Sequence, residues 1–288
     1  MSQDRAPMTQ DDIRAAVRRD YARVANADPS AGCMPGCCGP TPHSSLALGY
    51  SADDLASVPE GANLGLGCGN PQVLAALVEG ERVLDLGSGG GFDAFLAARK
   101  VGDRGSVVGV DMTPEMVAKA RRNAAELGLE QVDFRLGEIE RLPVADASVD
   151  VIMSNCVINL SPDKAAVYRE AFRVLAPGGR LAISDVVMTA PLPDTLATQI
   201  EALTGCIAGA ITVDTMRDLL AEAGFSEVEV KVDDASRAFI AEWMPGSGAE
   251  RFIASASVVA RKSGAGKGVS AKETAAEPGA CCAPSCCG

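Results

Sequence analysis

The stretch Val83-Leu84-Asp85-Leu86-Gly87-Ser88-Gly89-Gly90-Gly91 constrains the fold more than any other part of the chain. A short apolar run entering a cluster of glycines reads as a buried strand followed by a tight turn. Backbone without Cβ lets the chain reverse there and lets a ligand approach closely. Strands and helices then alternate. Residues 82–86, 106–110, 132–136, 149–153 and 180–187 are short apolar runs and read as strands. Residues 114–127 and 162–175 read as helices, the first starting after Thr113 and the second expected to stop at Pro177-Gly178-Gly179. This alternation predicts a doubly wound, mostly parallel Rossmann-like α/β sheet with right-handed crossovers. A helix at 213–223 and strands near 227–232 and 252–260 complete the expected fold.

The two ends differ in character from this core. Ile13, Val17, Tyr21 and Val24 recur at helical spacing, and Thr9 with Asp12 has the form of a capping box, which predicts a helix over 9–26. Residues 29–42 turn to Pro, Gly and Cys and hold Cys33, Cys37 and Cys38. A second Gly-rich loop, 61–69, holds Cys68, and Pro71 suits the first turn of a helix. Residues 262–277 carry no periodic apolar face and read as disordered, leading to Cys281-Cys282 and Cys286-Cys287. Four segments are expected: an N-terminal helix with Cys-bearing loops (1–70), a cofactor-binding core (71–190), a substrate-covering segment with the final strands (191–262), and a flexible Cys-rich tail (263–288).

Charge and composition narrow the partners. The formal net charge is -12, so a nucleic-acid partner is not expected, because affinity for phosphate backbones comes from Lys and Arg. No uncharged apolar run approaches the roughly 18 residues of a membrane span, and the first residues lack a signal-peptide pattern. A cytoplasmic location is expected. Thiols stay reduced there, so ten cysteines point to metal binding or catalysis more than to a disulfide scaffold.

The glycine loop and its surroundings indicate the cofactor. Gly87, Ser88, Gly89 and Gly91 form the strand-to-helix turn, and Asp111 follows at the end of the next strand, where an acid accepts ribose hydroxyls. A dinucleotide fingerprint would place a third glycine at 92, where this chain has Phe92. Asp85 would also oppose a pyrophosphate, whereas a carboxylate facing an amine and a sulfonium is favourable. The pattern fits S-adenosyl-L-methionine better than NAD. Met112 adjoins Asp111 and joins the cofactor-binding set. Glu138 and Ile139 are placed to meet the adenine edge, with a solvated loop acid beside a core Ile as the alternative. Asn155 either reaches the methionine end of the cofactor or forms a plain strand-end turn.

Residues 83–91 with Asp111, and Leu175-Ala176-Pro177-Gly178-Gly179 before a strand, resemble class I methyltransferases. More specifically, Asn63-Leu64-Gly65-Leu66-Gly67-Cys68-Gly69-Asn70-Pro71, Ser154-Asn155-Cys156-Val157-Ile158-Asn159-Leu160, Gly205-Cys206-Ile207 and Phe239-Ile240-Ala241-Glu242-Trp243 resemble the arsenite S-adenosylmethionine methyltransferase family. The resemblance runs from about residue 15 to 262. It implies that Cys68, Cys156 and Cys206 are arsenic-binding and catalytic cysteines. It also implies an additional N-terminal cysteine, for which Cys33, Cys37 and Cys38 are equal candidates. Trivalent arsenic is soft and takes thiolate sulfur. Its lone pair carries no proton, in keeping with a chain whose single histidine, His43, lies in a Pro-rich loop.

The expected activity is methylation of arsenite delivered as a thiol complex, with glutathione or thioredoxin as reductant and arsenic detoxification as outcome. Two rivals stand beside it. A small-molecule C- or O-methyltransferase of the quinone-biosynthesis kind would share the glycine loop and use the cysteines structurally. A metal-storage or metal-sensing protein would bind metal without consuming cofactor. The terminal cysteine pairs lie outside the resemblance, as arsenite collectors, a zinc site or a redox tail.

Overall fold

A computed structural model of the chain describes residues 9–26, 44–59, 61–193, 196, 206–243 and 245–264. Cys33, Cys37, Cys38, His43 and the four terminal cysteines lie outside the described residues.

The core is a seven-stranded sheet. Its strands are β1 (Arg82–Leu86), β2 (Ser106–Asp111), β3 (Val132–Leu136), β4 (Val149–Asn155), β5 (Leu175–Met188), β6 (Ser226–Asp233) and β7 (Ile253–Arg261). They lie in the order β3-β2-β1-β4-β5-β7-β6. The first five run parallel, and β7 runs antiparallel to both of its neighbours. The order reverses between β1 and β4, so their carboxyl ends open a crevice, the usual ligand site of such sheets. The expected mostly parallel, doubly wound sheet is what the chain forms.

Alternate side chains explain the two covered faces. Val83 and Val151 point to the side packed by α5 (Phe92–Val101) and α6 (Pro114–Leu127), with Phe95, Ala97, Val117 and Ala120. Leu84, Leu86 and Ile152 point to the side packed by α7 (Lys164–Val174) and α8 (Val213–Glu222), with Val167, Tyr168, Met216 and Leu220. Both faces are buried, so the strands read as continuous apolar runs.

Before the sheet come α1 (Gln10–Asn26), α2 (Ser44–Ala47), α3 (Ala52–Ala56) and α4 (Pro71–Ala75). The Thr9–Asp12 capping box forms, each residue accepting the other's backbone N–H. Pro71 opens α4 behind the Asn70 cap, as expected. A last helix, α9 (Arg237–Trp243), lies between β6 and β7. The apolar spacing of α9 is short enough to escape a periodicity argument.

Two expectations need correction. The helix after β4 starts at Lys164, behind an Asp163 cap, and the chain is already extended at Leu175, two residues before Pro177. A residue ahead of proline avoids the helical region, so the break precedes the Pro-Gly-Gly turn. Lys262, the first residue of the run 262–277 expected to be disordered, belongs to the fold, in keeping with the segment 191–262. Its backbone pairs with Gly178 and Gly179, and its Nζ donates to Phe172 O at 2.6 Å and Leu175 O at 2.7 Å. That ammonium satisfies carbonyls at the end of α7 while lying over the Phe172 ring. Lys262→Ala should therefore lower unfolding stability by about 1.5–3 kcal/mol, the contribution of hydrogen bonds to a charged group. A chain ending at residue 264 should match the full chain. Urea denaturation of the three forms checks both statements.

Candidate active site

The crevice at the carboxyl ends of β1, β2 and β4 widens into a cleft that, counted with the solvent space at its mouth, measures about 1110 Å³. Asp85, Gly87, Ser88, Gly89, Asp111, Met112, Ile139, Asn155 and Cys156 all line it. Gly91 lies just behind as the cap of α5, with a φ of 97° that glycine adopts without strain. A Cβ at Gly87 would overlap Val157, whereas one at Gly89 would project into open space. The turn is thus packed behind and vacant in front, as a ligand-cradling loop requires.

The acids divide the cleft chemically. Asp111 Oδ2 accepts the Gly89 N–H at 3.0 Å, and Oδ1 accepts the Thr113 N–H at 2.8 Å, so the carboxylate ties the loop to the end of β2. Burial pushes the Asp111 carboxyl above its ordinary range, and those two N–H groups pull it back. Asp85 is the more exceptional group. Burial holds its carboxyl well above the usual range, and the charges of Asp93 and Asp111 add to this. Its Oδ2 is buried with no hydrogen-bond partner, as are Ser88 Oγ and Thr113 Oγ1. An unpaired buried carboxylate oxygen is costly unless a cationic ligand completes it. The site therefore fits a ligand that brings positive charge beside Asp85 and hydroxyls beside Asp111, as the amine, sulfonium and ribose of S-adenosylmethionine would.

Glu138 is placed elsewhere. It is not among the residues that line the cleft and pairs with Arg18 at 3.1 Å and Arg14 at 3.7 Å on α1. Glu140 is the acid of that loop which reaches the cleft wall, pairing with Arg14 at 3.3 Å and accepting the Ser161 hydroxyl at 2.7 Å. These ion pairs hold α1 over the cleft, where Arg14, Val17 and Tyr21 line it.

Asn155 does more than either sequence reading supposed. Its Oδ1 accepts the Cys68 N–H at 3.1 Å, and its Nδ2 faces Gly69 O at 3.0 Å, Tyr50 Oη at 3.1 Å and Asp93 Oδ2 at 3.2 Å. One amide at the end of β4 thus seats the loop that carries Cys68. The flanking glycines are needed for that approach. A Cβ at Gly67 would lie 2.7 Å from the Asn155 amide, and one at Gly69 would overlap Ser184 Oγ. Tyr50 and Asp93 brace the same amide, with Tyr50 Oη donating to Asp93 at 2.7 Å. Neither residue stands out in sequence, because the contacts join segments far apart in the chain.

The three candidate cysteines converge. Cys68, Cys156 and Cys206 are buried and share one apolar cluster. Cys156 adopts φ 58°, a left-handed conformation unusual for a side chain with a Cβ, as its N–H bonds Ser184 O at 2.8 Å. Cys206 donates its thiol to Cys156 O at 2.7 Å, and Cys68 donates to Ser184 O at 3.5 Å. The Cys156 thiol is pulled down by Cys206, but the hydrogen bond to Cys68, burial and the Cys68 and Asp185 charges hold it well above the usual range. Cys206 is also held high, by its bond to Cys156 and by burial. Ile207, Ile240 and Ile253 close the cluster, with the Phe239–Trp243 ring pair packed against it. Of the three thiols, Cys156 lines the cleft.

Sequence reasoning missed Asp185. It interrupts the apolar run of β5, and its carboxylate lies with the Cys68 and Cys156 sulfurs in a group whose ligand atoms are all within 4.8 Å of one another. A charged residue inside an otherwise apolar strand was the available signal.

A family model for methyltransferase domains matches residues 77–224. The arsenite methyltransferase of Halobacterium salinarum is 50% identical over 277 residues, covering 91% of this chain and 71% of that protein. The chain belongs to the arsenite methyltransferase family. The human arsenite methyltransferase is 38% identical over 168 residues, 55% of this chain and 44% of its own length. The chain thus spans less than half of that longer family member. An arsenic(III) S-adenosylmethionine methyltransferase from Chlamydomonas reinhardtii superposes with a TM-score of 0.55 at 35% identity, covering 78% of this chain and 73% of the algal one. Among the described residues, no helix is long and apolar enough to cross a membrane.

The seating of Cys68 can be tested directly. Gly69→Ala should cost about 1–3 kcal/mol, as overpacking does, because the new methyl overlaps Ser184. It should also make the buried Cys68 thiol alkylate faster, read by mass spectrometry of its peptide. Unchanged stability together with unchanged alkylation would count against the packing argument.

Proposed function

We propose that this chain methylates trivalent arsenic held by Cys68, Cys156 and Cys206, with S-adenosylmethionine bound in the adjoining cleft. The observation that carries the proposal is the meeting of three buried thiols from three separate segments beside a cleft whose Asp85 oxygen lacks a partner. When bound, the cofactor supplies a methyl group on a sulfonium. Asp85 provides the negative charge for its cationic end, Asp111 accepts its ribose hydroxyls, and Gly89 leaves room for close approach. Met112 and Ile139 give the cleft an apolar wall. On this reading residues 71–190 hold the cofactor and 191–262 cover the substrate.

Arsenite arrives as a thiol complex. Each cysteine replaces one carried thiol, and its proton leaves on the departing thiol, so the buried thiols exchange without creating free charge. Three thiolates around trivalent arsenic sum to neutrality, which an apolar enclosure tolerates. Softness of the sulfur donors provides selectivity. Positioning and exclusion of water supply the rate, since the arsenic lone pair needs no base. Glutathione or thioredoxin serves as reductant, in the cytoplasm, with arsenic detoxification as the outcome.

Incubation with arsenite, glutathione and labelled cofactor, followed by separation of arsenic species, tests the reading. Cofactor turnover independent of arsenite would instead favour a C- or O-methyltransferase with structural cysteines. Asp111→Ala should weaken cofactor binding by about 1.5–3 kcal/mol in calorimetric titration, because a charge-assisted acceptor is lost. Cys156→Ser and Cys206→Ser should each abolish arsenite methylation, as a protonated hydroxyl is a poor ligand for a soft centre. Full activity in either variant would rule out the three-thiolate site.

A further inference from the structure

Asp185 is a buried carboxylate beside the thiols for which arsenic chemistry has no use. Its Oδ1 accepts the Asn159 amide at 2.9 Å and the Val186 N–H at 2.8 Å, and its Oδ2 accepts the Asn159 N–H at 3.2 Å. The Asn159 and Val186 donors, with the Ile158 backbone N–H beside them, fix the carboxylate in orientation. Such outer bonds are what orient a ligating carboxylate in a metal site. The Lys164 ammonium, half-buried and bonded to Ser161 O at 3.0 Å, acts on Asp185 through its charge.

We propose that Cys68, Cys156 and Asp185 form a binding site for a divalent d10 cation, zinc or cadmium, that overlaps the arsenic site without being identical to it. The ligand atoms of these three residues already lie within 4.8 Å of one another, close enough for one ion to gather two sulfurs and an oxygen with little rearrangement. Charge decides the donor set. A dication, two thiolates and one carboxylate leave a single negative charge, which the Lys164 ammonium cancels. Adding a third thiolate would bury an uncompensated charge, so Cys206 keeps its proton and its bond to Cys156 O. Trivalent arsenic has the opposite preference. Three thiolates already neutralise it, and its lone pair leaves no demand for a carboxylate. The cation binds as two thiol protons are released, and no electrons move. Because Cys68 and Cys156 are common to both sites, the cation excludes arsenic. The proposal shares thiols with the function proposed above but does not depend on methyl transfer.

The test uses the full chain with serine at the seven cysteines outside the cluster (Cys33, Cys37, Cys38, Cys281, Cys282, Cys286 and Cys287). Cadmium is titrated without arsenite or cofactor and followed by thiolate-to-cadmium charge-transfer absorbance. Arsenite binding is measured separately by calorimetry. One cadmium per chain is expected, and it should displace arsenite. Asp185→Asn should weaken cadmium binding at least about tenfold, as loss of a ligand does, while leaving arsenite affinity within about twofold. Cys206→Ser should do the reverse. Cadmium binding that is absent, insensitive to Asp185→Asn or abolished by Cys206→Ser would overturn the proposal. If Asp185→Asn fails to fold, the cadmium-113 resonance of the parent decides. A shift typical of two sulfurs with oxygen donors supports the site, and a three-sulfur shift overturns it. Loss of arsenite binding with cadmium binding intact would instead count against the three-thiol function alone.

Discussion

The structure depends on one amide. Asn155, at the carboxyl end of β4, holds the Cys68 N–H and faces the Gly69 carbonyl, Tyr50 and Asp93. Through these bonds a loop from before the sheet is laid across the ends of β4 and β5. The next residue, Cys156, is turned by its left-handed backbone toward the same point. Without this clamp the cleft would lose one wall and the thiol cluster one sulfur. The glycines on either side of Cys68 follow from the closeness of that contact, since a side chain at either position would meet Asn155 or Ser184.

Burial organises the chemistry on both sides of the clamp. On the cleft side it raises the cost of the Asp85 carboxylate until a cationic ligand compensates it. On the cluster side it helps hold the Cys156 and Cys206 thiols well above their ordinary range. The same low-polarity surroundings make total charge the selector among thiophilic ions. On the two proposed readings, three thiolates suit a trivalent centre, and two thiolates with a carboxylate suit a divalent one beside Lys164.

Most of the scaffold was legible in the chain because its signals are local. Residues 82–86 and 132–136 form strands with the expected bounds, and 114–127 forms a helix with the expected bounds. Alternation of such elements leaves few ways to build a sheet. The Asp111 and glycine-loop expectations rest on the same local logic, and both groups border the cleft. Glu138 shows the limit. Its distance along the chain from the third strand is correct for a cleft residue, but its partners come from α1, more than a hundred residues earlier, where Arg14 and Arg18 pair with it. Asp185 shows the converse, a residue whose role is invisible until Cys68 is folded against it.

The sequence alone determined that strand and helix alternate, that a glycine turn ends the first strand of the sheet, and that soft sulfur donors lie in three separate segments. Each of these follows from residue type and spacing along one stretch of backbone. Only the tertiary structure decided that the three cysteines share one buried cluster, that Asn155 seats the loop of the first, that Glu140 and not Glu138 lines the cleft, and that Asp185 lies beside Cys68 and Cys156. Those outcomes rest on contacts between segments distant in sequence. They are set by how closely backbones can approach and by which buried polar groups find partners, and neither quantity is encoded in any single stretch of the chain.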